Sequence, residues 1–169
     1  MKIRKLTTMA MLCAVALIIF VIEAQIPALV PIPGIKMGLS NIITVFAVFA
    51  LGSWEAALIL AGRIFLGAVF AGNFSTILYS AAGGTLAILA TILLKKLVKE
   101  SQLWVAGCLG AIAHSIGQMA MAIAITGTPG LVIYLPVMIG CSILTGSFTG
   151  LCAQSLVKRR KDLWKTFSK

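Results

Sequence analysis

Acidic side chains are nearly missing from this sequence: there are four among 169 residues, and Asp162 is the single aspartate. The other three, Glu23, Glu55 and Glu100, are scattered along the chain. No carboxylate cluster of the kind that holds Mg²⁺ against phosphate oxygens can be assembled from them. A GxxxxGK[ST] loop is also missing, so any ATP drive would have to come from a partner. HExxH, a Ser/His/Asp set and paired CxxC spacings are absent as well, and His114 is the only histidine. Catalysis by this chain alone is not expected, and neither is a metal or cofactor. The four cysteines, Cys13, Cys108, Cys141 and Cys152, fall in apolar runs and read as buried small hydrophobes.

Apolar residues take up the space that these absences leave. The chain is 60% hydrophobic and 11% charged, with a mean hydropathy of +1.09, outside the range of ordinary soluble domains. A membrane-spanning helix needs about 20 apolar residues, so there is room for roughly five to seven spans and no soluble catalytic or nucleotide-binding domain. Apolar runs and turn residues delimit six helices, at about 6–27, 38–52, 54–71, 74–97, 103–126 and 131–157. The second is short for a full span and could start inside the preceding loop.

The formal charge is +10, and 12 of the 14 cations fall into three groups. These are Lys2, Arg4 and Lys5; Lys95, Lys96 and Lys99; and Lys158, Arg159, Arg160, Lys161, Lys165 and Lys169. Long apolar stretches separate them, which is a topology pattern and not a nucleic-acid footprint. Six spans place all three groups in the cytoplasm together with both termini, whereas five or seven would leave one group outside. The fold expected is therefore an all-α, six-helix bundle in one membrane domain, 1–169, in the lipid bilayer of a bacterial cell membrane. The basic start and apolar run also resemble a signal peptide, but the run is long and no small-x-small cleavage site precedes a soluble domain.

Two cations lie outside the basic groups. Arg63 sits nine residues into the third helix, about 13 Å from its start and so near the midplane. Ionisable groups there are costly, so Arg63 is either an anion-binding cation or half of an internal ion pair or carbonyl clamp. Lys36 precedes the second helix, whose free N–H groups and dipole favour an anion. His114 and Gln118 are four apart and share a face of the fifth helix. Glu23, Gln25, Ser40, Asn41 and Asn73 complete a polar set in the outer half. Helix capping by Ser and Asn and a surface Glu23–Lys36 pair are the plainer reading. Convergence of several helices on one half favours a binding site. Small residues allow close helix approach at Ala10 and Ala14, at Gly146 and Gly150, and at Gly83-Gly84.

The segment Pro33-Gly34-Ile35-Lys36-Met37-Gly38-Leu39-Ser40-Asn41, followed by Gly62-Arg63-Ile64-Phe65 and Tyr79-Ser80-Ala81-Ala82-Gly83-Gly84, resembles the Gx transporter family, also labelled heptaprenyl diphosphate synthase component I. The likeness covers roughly residues 5–157. That family in turn resembles the substrate-binding S components of energy-coupling factor transporters. The resemblance implies six helices with cytoplasmic termini, a site near the outer face, and three partners: a transmembrane coupling subunit and two cytoplasmic ATPases. It also implies that Ala10 and Ala14 dock on the coupling subunit. The synthase label conflicts with the scarcity of acids, and it points to an isoprenoid, quinone-precursor or vitamin-like substrate. On this reading Arg63 and Lys36 meet negative charge, Asn41, Asn73, His114, Gln118 and Glu23 orient the ligand, and loop 27–37, with three prolines and Gly34, is an outer gate. A non-catalytic membrane subunit for prenyl diphosphate synthesis is the alternative, and a stand-alone secondary carrier is a third.

Overall fold

A computed structural model describes residues 3–26, 36, 38–72 and 75–167. The described residues form six α-helices: α1 Ile3–Ala24, α2 Asn41–Ala50, α3 Ser53–Ala71, α4 Ser75–Lys95, α5 Leu103–Thr126 and α6 Leu135–Phe167. Single 3₁₀ segments, Glu100–Gln102 and Pro129–Tyr134, lead into α5 and α6. The expected helices are recovered in order, with three shifts. The last one starts at Leu135 behind the 3₁₀ segment and runs to Phe167. The first begins at Ile3. The second begins at Asn41 and not at residue 38, because Gly38 has a φ of 81°, a left-handed conformation that a right-handed helix cannot contain. Most of loop 27–37 lies outside the described residues, as does Asn73.

Among the described residues, five helical stretches are long and apolar enough to cross a membrane: Lys5–Ala24, Ser53–Phe70, Ile77–Lys95, Glu100–Thr126 and Pro129–Arg159. The ten residues of α2 rise about 15 Å, half of a hydrocarbon core about 30 Å thick. What α2 lacks in length it makes up in burial. Ala47 and Val48 are fully buried, Ile43 and Val45 nearly so, and the helix touches all five of its neighbours. It is a half-length plug in the middle of the bundle.

Close contacts fix the direction of each helix. Lys5 near the start of α1 pairs with Glu55 near the start of α3. Lys95 at the end of α4 donates to the Val48 carbonyl oxygen at 2.6 Å, satisfying one of the carbonyls that the C-terminal turn of α2 leaves free. Val45, Leu103, Ala153 and Val157 then join the later turns of α2 and α6 to the start of α5. These contacts gather Lys5, Lys95 and the segment around Lys158 at one end of the bundle. The N-terminus of α2 points to the opposite end.

Lipid is as apolar as leucine, so helices in a membrane associate through close packing and polar contacts more than through water exclusion. The α5–α6 seam shows this most clearly. A Cβ added at Gly107 would lie 2.5 Å from both the Gly146 carbonyl oxygen and the Gly150 Cα, so the two backbones meet without side chains between them. Further along the same seam Ser142 donates to the Met138 carbonyl oxygen at 2.7 Å, leaving Ser115 as donor to Ser142 at 2.6 Å. On α4, a Cβ at Gly84 would meet Leu60 of α3 at 3.0 Å. The GxxxG and Gly-Gly segments are thus internal packing. Ala10 and Ala14 differ from them, since both are exposed on α1. The cysteines are half-buried thiols, less enclosed than expected, and Cys13 packs against the core shared by α1, α2 and α3.

Candidate functional site

The site forms where α2 stops. Below it α2 fills the bundle. Above it the turn Gly38–Asn41 enters between α1, α4 and α5, closed by a bond from the Asn41 N–H to the Gly38 carbonyl oxygen at 2.9 Å. Ser40 and Asn41 are buried there. The last turn of α1 brings in Phe20 and Glu23, three apart and on one face. Their residue exposures are 5% and 4%. The middle of α3 brings in Arg63 at 3%, and the middle of α5 brings in His114 at 3% and Gln118 at 1%.

These side chains are directly linked. Glu23 Oε1 accepts the Gly38 N–H at 2.5 Å. Gln118 Oε1 accepts the Lys36 N–H at 3.4 Å. The Lys36 ammonium lies 3.6 Å from the centroid of the Phe20 ring, and the Arg63 guanidinium carbon lies 5.6 Å from the same ring, both within cation–π range. The His114 imidazole is wedged between two glycines. A Cβ at Gly83 would come 2.9 Å from its Nδ1, and one at Gly38 would come 3.3 Å from its Cδ2. Gly83 is equally close to Gln118, so the Gly-Gly notch of α4 is the seat of the His114–Gln118 face.

Polar demand here exceeds what the described residues supply. Glu23 Oε2, both amide atoms of Asn41, Arg63 Nη2 and His114 Nδ1 are buried without a hydrogen-bond partner among the described residues. Each such atom costs roughly 1–3 kcal/mol, more if charged, and proteins normally satisfy nearly all of them. Glu23 is the acid on the side of both cations, since Glu55 is paired with Lys5 at the opposite end. No nitrogen of Arg63 or Lys36 comes within 4.0 Å of its carboxylate. The surface pair envisaged for Glu23 and Lys36 is therefore absent: Glu23 is buried and its carboxylate is held by a backbone amide. Lys36 lies outside the spanning segments. Its partial burial pulls its ammonium below the ordinary lysine range, Glu23 opposes that shift, and the Arg63 charge adds to it.

Six of the expected site residues thus converge: Arg63, Lys36, Asn41, His114, Gln118 and Glu23. Gln25 is exposed and does not join them. Phe20, Gly38 and Gly83 belong to the cluster although their residue types alone did not mark them. Phe20 had one available signal, its position three residues before Glu23. The arrangement can hold an anion: two cations beside an aromatic face, with amide and imidazole groups left open around them.

Fold and site together define a class, that of membrane-embedded helical bundles with a cation-bearing polar site in the interior. Within it, the chain belongs to the heptaprenyl diphosphate synthase component I family, whose model matches residues 12–156. That match includes every residue of the cluster. Neither the curated proteins nor the solved structures contain a match.

Proposed function

We propose that this protein is a membrane-embedded binding subunit that takes up the anionic head of a small amphipathic molecule, an isoprenoid, quinone precursor or vitamin-like compound, from the side opposite its basic end. One observation carries the reading: Arg63 is buried at mid-depth with Nη2 unpartnered among the described residues, in a cluster where four further polar atoms are likewise unpartnered. A residue needed only for packing would have its donors filled by carbonyls or an acid. The basic end faces the cytoplasm under the positive-inside rule, with α2 counted as the sixth membrane helix and both termini inside. On the importer form of this reading, the chain is the S component of an energy-coupling factor transporter. A coupling subunit and two ATPases supply the drive, and the coupling subunit docks at the exposed Ala10 and Ala14.

The family description supports a second form, in which the same site serves a non-catalytic membrane subunit of heptaprenyl diphosphate synthesis, with a soluble partner carrying out the chemistry. Both forms require the anion site. Native mass spectrometry of the purified protein should find a retained small anion, and Arg63→Gln should lose it while keeping the wild-type elution profile. Removal of a charged hydrogen-bond partner corresponds to roughly 10- to 100-fold in affinity. Equal retention by a folded Arg63→Gln protein would refute the site. Accumulation of the ligand in vesicles that depends on ATP distinguishes the importer from the synthase subunit.

A further inference from the structure

The charges of the cluster can be counted completely. Between Leu6 and Leu94 the sequence contains only four acids and cations, Glu23, Lys36, Glu55 and Arg63, and between Leu103 and Val157 it contains none, His114 aside. Glu55 is paired with Lys5 at the basic end. The groups that face the site are therefore Glu23 from α1, Arg63 from α3, Lys36 from the segment before α2, and the imidazole of His114 from α5. Two cations and one carboxylate leave a single net positive charge, enclosed where charge is poorly screened.

Glu23 is fixed in that balance. Its Oε1 holds the Gly38 N–H at 2.5 Å, at the turn that leads into α2, where an incoming anion would otherwise find an amide and the positive end of the helix. A carboxylate of the protein itself already occupies this position, while Arg63 Nη2 has no partner among the described residues. Resting on the proposed anion site, we infer that Glu23 is a built-in counter-ion that sets the charge class of the ligand: the site accepts a head group bearing one negative charge, such as a carboxylate, and discriminates against a diphosphate. A monoanion neutralises the cluster. A head group with more charge leaves a buried excess beside Glu23, and like charges juxtaposed without water oppose binding.

Two probes with one tail test this, farnesoate and farnesyl diphosphate, titrated calorimetrically into the purified full-length protein in detergent. Wild type should bind farnesoate at least about tenfold more tightly than the diphosphate. Glu23→Gln, which keeps an acceptor for the Gly38 amide and removes the charge, should narrow or reverse that preference by improving diphosphate binding. Arg63→Gln should weaken both probes. Diphosphate binding tighter than farnesoate in wild type, or an unchanged ratio in a folded Glu23→Gln protein, overturns the counter-ion role and leaves the anion site standing. Failure of folded wild type to bind either probe overturns the amphipathic-anion reading and the charge rule together.

Discussion

The imidazole of His114 lies between Gly38 and Gly83, and its fully enclosed neighbour Gln118 shares the second of those surfaces. Sequence spacing was enough to put His114 and Gln118 on one face and to place Arg63 at mid-depth. It did not reveal that the Gly-Gly segment of α4 was shaped to receive that face, because a glycine pair in an Ala- and Gly-rich chain signals close packing without naming the partner. A direct consequence follows. Gly83→Ala places a methyl 2.9 Å from His114 Nδ1 and from Gln118 Cγ, and overpacking of this kind costs about 1–3 kcal/mol. The apparent melting temperature in detergent should fall. The same substitution in a His114→Ala background should recover part of the loss, since the ring is then absent. Equal losses in the two backgrounds would show that the ring is not what the notch accommodates.

At the scale of the element, the two small-residue motifs have opposite fates. Gly146 and Gly150 are consumed by α5, where their backbones touch Gly107 and Trp104. Ala10 and Ala14 stay on the exposed face of α1. Identical spacing could not tell these apart, because the motif describes a helix surface and not what lies against it. Substitution separates them. Gly146→Leu forces α6 off α5 and should abolish the monodisperse folded protein on size-exclusion chromatography. Ala10→Leu with Ala14→Leu should leave the profile and ligand retention unchanged, and on the importer reading should prevent co-purification of the coupling subunit. Normal assembly of that double variant removes α1 as the docking face.

For the molecule as a whole, helix number, order and most boundaries were legible because long apolar runs and turn residues mark them. The length of α2 was harder to read. Residues 38–40 are apolar or small and continue the run in composition, while the positive φ of Gly38 is a property of backbone geometry that composition does not encode. That one shift makes Asn41 the first residue of α2, buried beside the Gly38 turn that also borders His114. The orientation across the bilayer can be tested with single cysteines placed in a protein whose four native cysteines are replaced. Lys99→Cys and Thr128→Cys are both at exposed positions at opposite ends of α5. A membrane-impermeant maleimide added to intact cells should label Thr128→Cys, and should label Lys99→Cys only after permeabilisation. The reverse pattern would invert the topology, and labelling of both in intact cells would break the alternation of spans.

The half-length of α2 bears finally on distance. The ten residues of α2 put the Gly38–Asn41 turn about half of a bilayer thickness away from the basic end of the bundle. The helix is tied at its far end by the Lys95 contact to the Val48 carbonyl. On the importer form of the proposed function, onward passage would require displacement of that plug from the five helices it packs against and release of its hydrogen bond at the basic rim.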